Sequence, residues 1–121
     1  MEFRLPVRMA SENRAGEPNI TAREQADARG ILFNEHLIYP WPRRTRDVFF
    51  EEIPKLPPGI SEIFLHPALD GEELRACDPA NADIRVHDAA CLIDPLLTEL
   101  LDQFGIRRIG FHALRDLQRA V

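Results

Sequence analysis

The chain has 121 residues, of which 45% are hydrophobic and 29% are charged, a composition typical of one globular domain. Its net charge is −5 and its arginines are scattered among acidic residues, which argues against nucleic acid as a partner. The longest apolar runs are only a few residues long, too short to cross a membrane.

The start of the chain and its two cysteines indicate a cytoplasmic location. Residues 1–4 (MEFR) lack the basic start and apolar core of a signal peptide. Cys77 and Cys91 have no CxxC or Cys/His spacing, which argues against a zinc site. We therefore expect both cysteines to be buried free thiols in a reducing compartment.

Short apolar runs and helical stripes alternate along the chain. The predicted elements are, in order, a strand over 3–9, a helix over 22–29, a strand over 31–33, a helix over 46–56, a strand over 60–66, a helix through 84–90, a helix over 95–104, a strand over 106–111 and a helix over 113–120. Residues 39–44 and 68–75 are predicted loops. This order predicts an α/β fold with a parallel sheet.

Several helix boundaries are predicted from capping residues. Thr21 begins a capping-box pattern, and Gly30 is suited to end the helix that follows. Asp78 and Asp94 are each followed by proline, a pattern typical of an N-cap with proline at the first helical position. Gly105 is predicted to end the helix that starts after Asp94.

The strand over 60–66 carries the first candidate site residue. Both of its faces are mostly apolar, so we predict a buried strand, and Pro67 would end it because proline cannot donate to a ladder. His66 is then expected at a carboxyl strand end, where α/β proteins place their chemistry. Imidazole suits proton transfer at near-neutral pH. The alternative is a hydrogen-bonded structural histidine.

Other polar residues near predicted strand ends have open roles. Arg8 either orients a carboxylate or binds an oxyanion, or it forms a surface ion pair with an acid such as Glu12. Glu62 is expected to be a partly buried carboxylate paired with an arginine. Glu35 and His36, with the preceding asparagine, either line the same cleft at the strand ends as His66 or form a hydrogen-bonded cluster in a loop. We favour the loop cluster.

The other histidines, His87 and His112, are expected to be structural. The spacing of the histidines shows no HxH or HExxH motif, so no metal site is predicted from it.

One segment resembles a known family. Residues 56–68, LPPGISEIFLHPA, are similar to the "LPPGvtEl-x-x-HPa" segment of the YdjC-like (ChbG/HpnK) carbohydrate deacetylases. Further segments are similar in the same order: LPVR at 5–8, GI at 30–31 with Glu35-His36, ELR at 73–75, RV at 85–86 with Asp88, GIRRIG at 105–110 and LRD at 114–116. The resemblance covers nearly the whole chain, although Glu35 stands where the family usually has aspartate.

The resemblance implies a TIM-like (β/α) barrel and hydrolysis of N-acetyl groups on amino sugars with a divalent metal, magnesium or zinc. By the same resemblance, His66 is the general acid that protonates the leaving amine. Arg8 positions substrate or a catalytic carboxylate, and Glu35 and His36 are predicted to bind substrate. The implied mechanism has a metal-bound water attacking the acetamide carbonyl.

The family's metal ligands have no counterpart in this chain. They belong to "DDfG", "GlH" and "DsHxH" motifs, and this sequence has no Asp-Asp pair and no His-x-His. A full barrel needs about 250 residues. Residues 1–121 are therefore predicted to be a single partial domain, the carboxyl-terminal half of the barrel, with the isolated chain inactive.

A half-barrel would expose sheet edges and an apolar inner face, so we predict self-association or pairing with a complementary half-barrel. The alternatives to a deacetylase are a non-catalytic half-barrel or partner-assembly module and a different hydrolase that matches by chance.

Overall fold

The computed structural model describes residues 3–10 and 20–120. Its elements in that part of the chain are helices α1 (Ile20–Ala28), α2 (Thr45–Glu52), α3 (Glu72–Cys77), α4 (Ala82–Leu92), α5 (Pro95–Gln103) and α6 (Phe111–Ala120), strands β1 (His36–Ile38) and β2 (Ser61–Ile63), and a 3₁₀ turn at Ile53–Lys55. The fold is mixed α/β, with β1 and β2 forming a two-stranded parallel sheet. None of the described helices is long and apolar enough to cross a membrane.

The described residues form two compact units. The first unit comprises 3–10, 20–38, 58–62 and 108–120, and the second comprises 39–57 and 63–107. The boundary falls within β2, between Glu62 and Ile63. The first unit contains the amino-terminal segment, α1, β1 and α6, whereas α2 to α5 all belong to the second unit.

Strand pairing in the first unit is shorter than the sequence predicts. The predicted strands over 3–9 and 31–33 meet only in an isolated parallel bridge between Val7 and Phe33. Arg4 has a φ of 44°, outside the extended region, and Pro6 has no N–H to donate to a ladder. These two residues prevent a regular strand before Val7.

Buried polar side chains hold the first unit together. Asn34 is 1% exposed, accepts a hydrogen bond from the Met9 amide at 2.7 Å and donates to the Met9 carbonyl at 3.0 Å. Gln118 of α6 accepts from the Leu32 amide at 2.5 Å and donates to the Gly30 carbonyl at 2.7 Å. Side-chain amides therefore supply the backbone hydrogen bonds that a longer sheet would have supplied.

The second unit has an apolar core formed by α2, α4 and α5. Its buried members are Phe49, Ile53, Cys91 and Leu97, with partly buried side chains packed around them. Phe49, Ile53 and Leu97 lie on the apolar stripes of the helices predicted over 46–56 and over 95–104, and Cys91 comes directly after the helix predicted through 84–90. Those three helices are confirmed, with small differences in their ends.

The capping predictions are confirmed at three positions. Asp94 accepts a hydrogen bond from the Leu96 amide at 2.9 Å, as an N-cap does. Gly30 and Gly105 have φ values of 63° and 64°, and each follows a helix end closed by two backbone hydrogen bonds. The left-handed conformation at these glycines ends α1 and α5.

Two helix starts were predicted wrongly. Thr21 lies inside α1, which already includes Ile20. Asp78 lies at the carboxyl end of α3, and α4 begins only at Ala82. The carboxylate of Asp78 accepts from Asn81 and Arg85 and does not cap a helix.

Two strands and one loop were also predicted wrongly. The strand over 60–66 is reduced to β2, which is half-buried, because its partner β1 ends just before the Tyr39-Pro40 step and proline cannot continue a ladder. Residues 106–110 form no strand, and Phe111 already belongs to α6. The segment 68–75, predicted as a loop, contains the start of α3.

Candidate functional site

His66 lies in the second unit, three residues after β2, and is half-buried. It is therefore not the last residue of a strand, because β2 ends at Ile63. Its imidazole contacts three aromatic rings edge-to-face: the centroid distances are 4.6 Å to Phe64, 5.6 Å to Trp41 and 5.9 Å to Tyr39. We call these four residues the aromatic site.

A buried carboxylate fixes the backbone at His66. The His66 amide donates to Oδ2 of Asp88 at 2.9 Å, and the Thr45 hydroxyl donates to Oδ1 of the same carboxylate at 2.5 Å. Asp88 and Thr45 are each 2% exposed. The Ala68 amide also donates to the Arg85 carbonyl at 3.1 Å, so α4 holds the chain both at His66 and two residues later.

The other rings of the aromatic site are held in different ways. Tyr39 stacks on Phe64 with centroids 5.6 Å apart and an interplanar angle of 29°. The Arg85 guanidinium lies over the Trp41 ring at 5.6 Å and donates through Nε to Asp78 at 2.7 Å. The result is an imidazole beside an ordered aromatic surface with a guanidinium at its edge.

Arg8 lies in the first unit and forms an ion pair with Glu62. Its Nε donates to Glu62 Oε1 at 2.6 Å. The prediction that Glu62 is a partly buried carboxylate paired with an arginine is confirmed, and the ion-pair alternative for Arg8 is realised with Glu62. Glu12 lies outside the described residues. Oε2 of Glu62 is buried and has no hydrogen-bond donor in the described part of the chain.

Glu35 and His36 also belong to the first unit. The Glu35 carboxylate lies against Gly59, where an added Cβ would stand 1.8 Å from Oε2 of Glu35. His36 is half-buried at the start of β1 and its amide donates to the Ile60 carbonyl at 3.2 Å. Arg8, Glu35 and His36 therefore fall in one unit and His66 in the other.

The two cysteines differ in exposure. Cys91 is buried, and this burial, with the nearby Asp94 and Asp88 carboxylates, raises the pKa of its thiol to about 11. Cys77 is exposed, so the prediction of a buried thiol was wrong there. It lies at the end of α3, a short helix without a buried residue.

The described residues, 3–10 and 20–120, contain no group of side chains that could bind a divalent metal. No three His, Cys, Asp or Glu side chains of those residues converge. The described residues therefore do not fit the metal that the family resemblance implies, and no reaction step through a metal is assigned to them.

A cavity of about 410 Å³ lies elsewhere in the second unit. Its charged and polar lining consists of Arg44, Arg46, Asp47, His87, Cys91 and Asp94. Arg46 is paired with Asp94 at 2.8 Å, so the cavity has nearly balanced charge. It contains neither His66 nor any other residue of the aromatic site.

Sequence reasoning missed the residues that surround His66. One signal for Asp88 was available: it comes four residues after Ile84 and three before Cys91, so it is the charged member of an otherwise apolar helical stripe. In α4, Asp88 and Cys91 are buried. Tyr39 and Trp41 lie in a proline-rich segment that was predicted only as a loop, and no local pattern connects them to His66.

No family model, curated protein or solved structure matches the chain.

Proposed function

We propose that this chain is the carboxyl-terminal part of a carbohydrate deacetylase of the YdjC-like family and that His66 delivers a proton to the leaving amine. The finer fold in this proposal is half of a TIM-like barrel. The observation that carries the proposal is the aromatic site, in which an imidazole lies beside exposed aromatic surface while a buried carboxylate fixes its backbone.

An aromatic surface beside a proton donor suits a sugar substrate. The C–H groups of a pyranose pack on flat aromatic rings, and a few polar groups orient the hydroxyls and the acetamide. Tyr39 and Trp41 supply such rings next to His66. The Arg85 guanidinium, which lies over the Trp41 ring, is a charged group next to this aromatic surface.

Hydrolysis of an N-acetyl group breaks the C–N bond and leaves acetate and a free amine. The electron pair of that bond goes to nitrogen, which takes up a proton as it departs. A protonated imidazole provides that proton and becomes neutral, which is the role proposed for His66. Asp88 acts on this step only by fixing the His66 backbone.

Three further residues enter the proposal through the resemblance. In this proposal Arg8 positions substrate or a carboxylate, and substrate would have to compete with Glu62, the carboxylate with which Arg8 is paired. Glu35 and His36 bind substrate in this proposal. The partners that follow are an N-acetyl amino sugar and a divalent metal whose ligands come from outside the described residues.

A second candidate is a non-catalytic assembly module. Leu69 and Ile93 are 86% and 84% exposed, and in this candidate they are the apolar side chains that a partner would cover. The partner would be a second copy of this chain or a complementary half-barrel. Sedimentation tests this candidate: a concentration-independent monomer would contradict it.

An amine-release assay tests the catalytic role. The chain is incubated with N-acetylglucosamine oligomers and zinc or magnesium, alone and with a separately produced amino-terminal half of a family member. We expect release when the second half is present, and a loss of about 100-fold or more in His66→Ala. His112→Ala, a change at an exposed histidine of α6, is the matched control and should leave the rate unchanged.

The outcomes of this assay separate the two candidates. Equal rates in the His66→Ala and unaltered chains would contradict the proton-donor role. An assembly that forms but releases no amine under any condition would favour the non-catalytic module.

A further inference from the structure

We infer that Tyr39 is the platform on which the sugar ring stacks, and that it determines the affinity of the site for N-acetylated pyranoses. This inference rests on the proposed function and assigns a specific residue to substrate binding. It follows from the exposure of Tyr39, the way its ring is held, and its distance from His66.

Tyr39 combines exposure with a fixed ring. It is 52% exposed, yet its ring stacks on Phe64 at 5.6 Å and makes an edge-to-face contact with His66 at 5.9 Å, with an interplanar angle of 77°. Exposed tyrosines without such contacts sample several rotamers, and a ligand would have to immobilise them. Tyr39 is held before a ligand arrives.

Trp41 is less suited to be the platform. It is half-buried, and so less exposed than Tyr39, and the Arg85 guanidinium lies over its ring at 5.6 Å. Arg85 uses Nε to bind Asp78 at 2.7 Å, and its two terminal nitrogens donate no hydrogen bond within the described residues. Those nitrogens are therefore available to donate to sugar hydroxyls beside Trp41.

The distance between Tyr39 and His66 sets the ligand class. Their ring centroids are 5.9 Å apart, comparable with the width of a single pyranose ring. If a sugar ring stacks on Tyr39, a substituent on one of its ring carbons would therefore reach the His66 imidazole. An acetamide at that position places the scissile nitrogen beside His66.

Calorimetric titration with the trimer of N-acetylglucosamine tests the platform. We expect Tyr39→Ala and Tyr39→Leu to bind about tenfold more weakly than the unaltered chain, because both lose the flat ring. Tyr39→Phe keeps the ring and should stay within about twofold of the unaltered affinity. Phe104→Ala removes another exposed aromatic ring of the second unit and should leave the affinity unchanged.

Thermal melts of each variant show whether the fold is retained, and Tyr39→Leu serves if Tyr39→Ala does not fold. Unchanged affinity in both ring-removing variants would overturn the inference while leaving the proposed function in place. Failure of the unaltered chain to bind the trimer would overturn the inference, and the proposed function would fall with it only if the amine-release assay with the second half also gave no release. His66-dependent amine release with no effect of Tyr39→Leu on affinity would overturn the platform role alone.

Discussion

The His66 amide and the Asp88 carboxylate are joined by a hydrogen bond of 2.9 Å across 22 residues of sequence. The other carboxylate oxygen accepts from Thr45 on α2, so one buried side chain connects two helices to the segment that carries His66. Asp88 is buried, with only 2% of its surface exposed to solvent. The position of His66 therefore depends on a residue that does not touch its ring.

Removing this carboxylate should destabilise the chain. We predict that Asp88→Ala lowers the free energy of unfolding by about 2–4 kcal/mol, because the buried Thr45 hydroxyl and the partly buried His66 amide lose their acceptor. Asp88→Asn keeps an acceptor and should cost less than half as much. Chemical denaturation measures both values. Asp102→Ala, at an exposed position of α5, is the control, and an equal effect at Asp88 and Asp102 would contradict the role assigned to Asp88.

Gly59 is required by its backbone conformation. Its φ is 120°, and an added Cβ would stand 1.8 Å from Glu35 Oε2. We predict that Gly59→Ala destabilises the chain by about 1–3 kcal/mol, mostly through backbone strain, since Glu35 is exposed and its carboxylate is able to move. Adding Glu35→Ala should recover only the smaller part of this loss in denaturation experiments.

Gly71→Ala is the matched control for Gly59. Gly71 has an extended φ of 176° and nothing within 4 Å of an added Cβ, so the change should alter stability by less than about 0.5 kcal/mol. Complete recovery in the Gly59→Ala, Glu35→Ala double variant would show that the contact, not the backbone, causes the loss.

Because of the buried Cys91 thiol, the free energy of unfolding should depend on pH in the alkaline range. Its folded pKa is raised from 9.0 to about 11, chiefly by burial. Between these values the unfolded chain loses the proton while the folded chain keeps it, so the free energy of unfolding falls as pH rises. The expected loss is about 3 kcal/mol in total, at roughly 1.4 kcal/mol per pH unit.

Denaturation curves at pH 8 and at pH 11 measure this dependence. Cys91→Ala lacks the thiol, so its stability should fall less over the same interval, although it is less stable at pH 8 because of the cavity. An identical fall in the two proteins would contradict a raised pKa at Cys91. Cys77 is exposed and serves as an internal control, since Cys77→Ala should leave the dependence unchanged.

Local signals predicted local features. The Asp94-Pro95 start and the Gly105 end of α5 were read correctly because capping depends on residues within one turn. The extents of the strands were not predicted, because a strand needs a partner that the local sequence does not specify. The strand expected over 60–66 stops at Ile63 since β1 offers only three residues.

The candidate site was predicted in part for the same reason. His66 was identified from its own segment, and the pairing of Glu62 with an arginine was predicted from its place at the other end of the same predicted strand. The rings of Tyr39 and Trp41 reach His66 through tertiary packing, which periodicity does not encode. Asp88 was seen only as part of a family segment, although its place in the buried stripe of α4 marked it as a buried charge.

Fluorescence of Trp41, the only tryptophan in the chain, tests most directly whether an N-acetyl amino sugar binds at His66. Trp41 lies 5.6 Å from the imidazole, so its emission reports on that site. Titration with the trimer of N-acetylglucosamine should give a saturable change in emission, and the glucose trimer, which lacks the acetamide, should give little or none. Equal responses to the two trimers, or no response to either, would contradict the account.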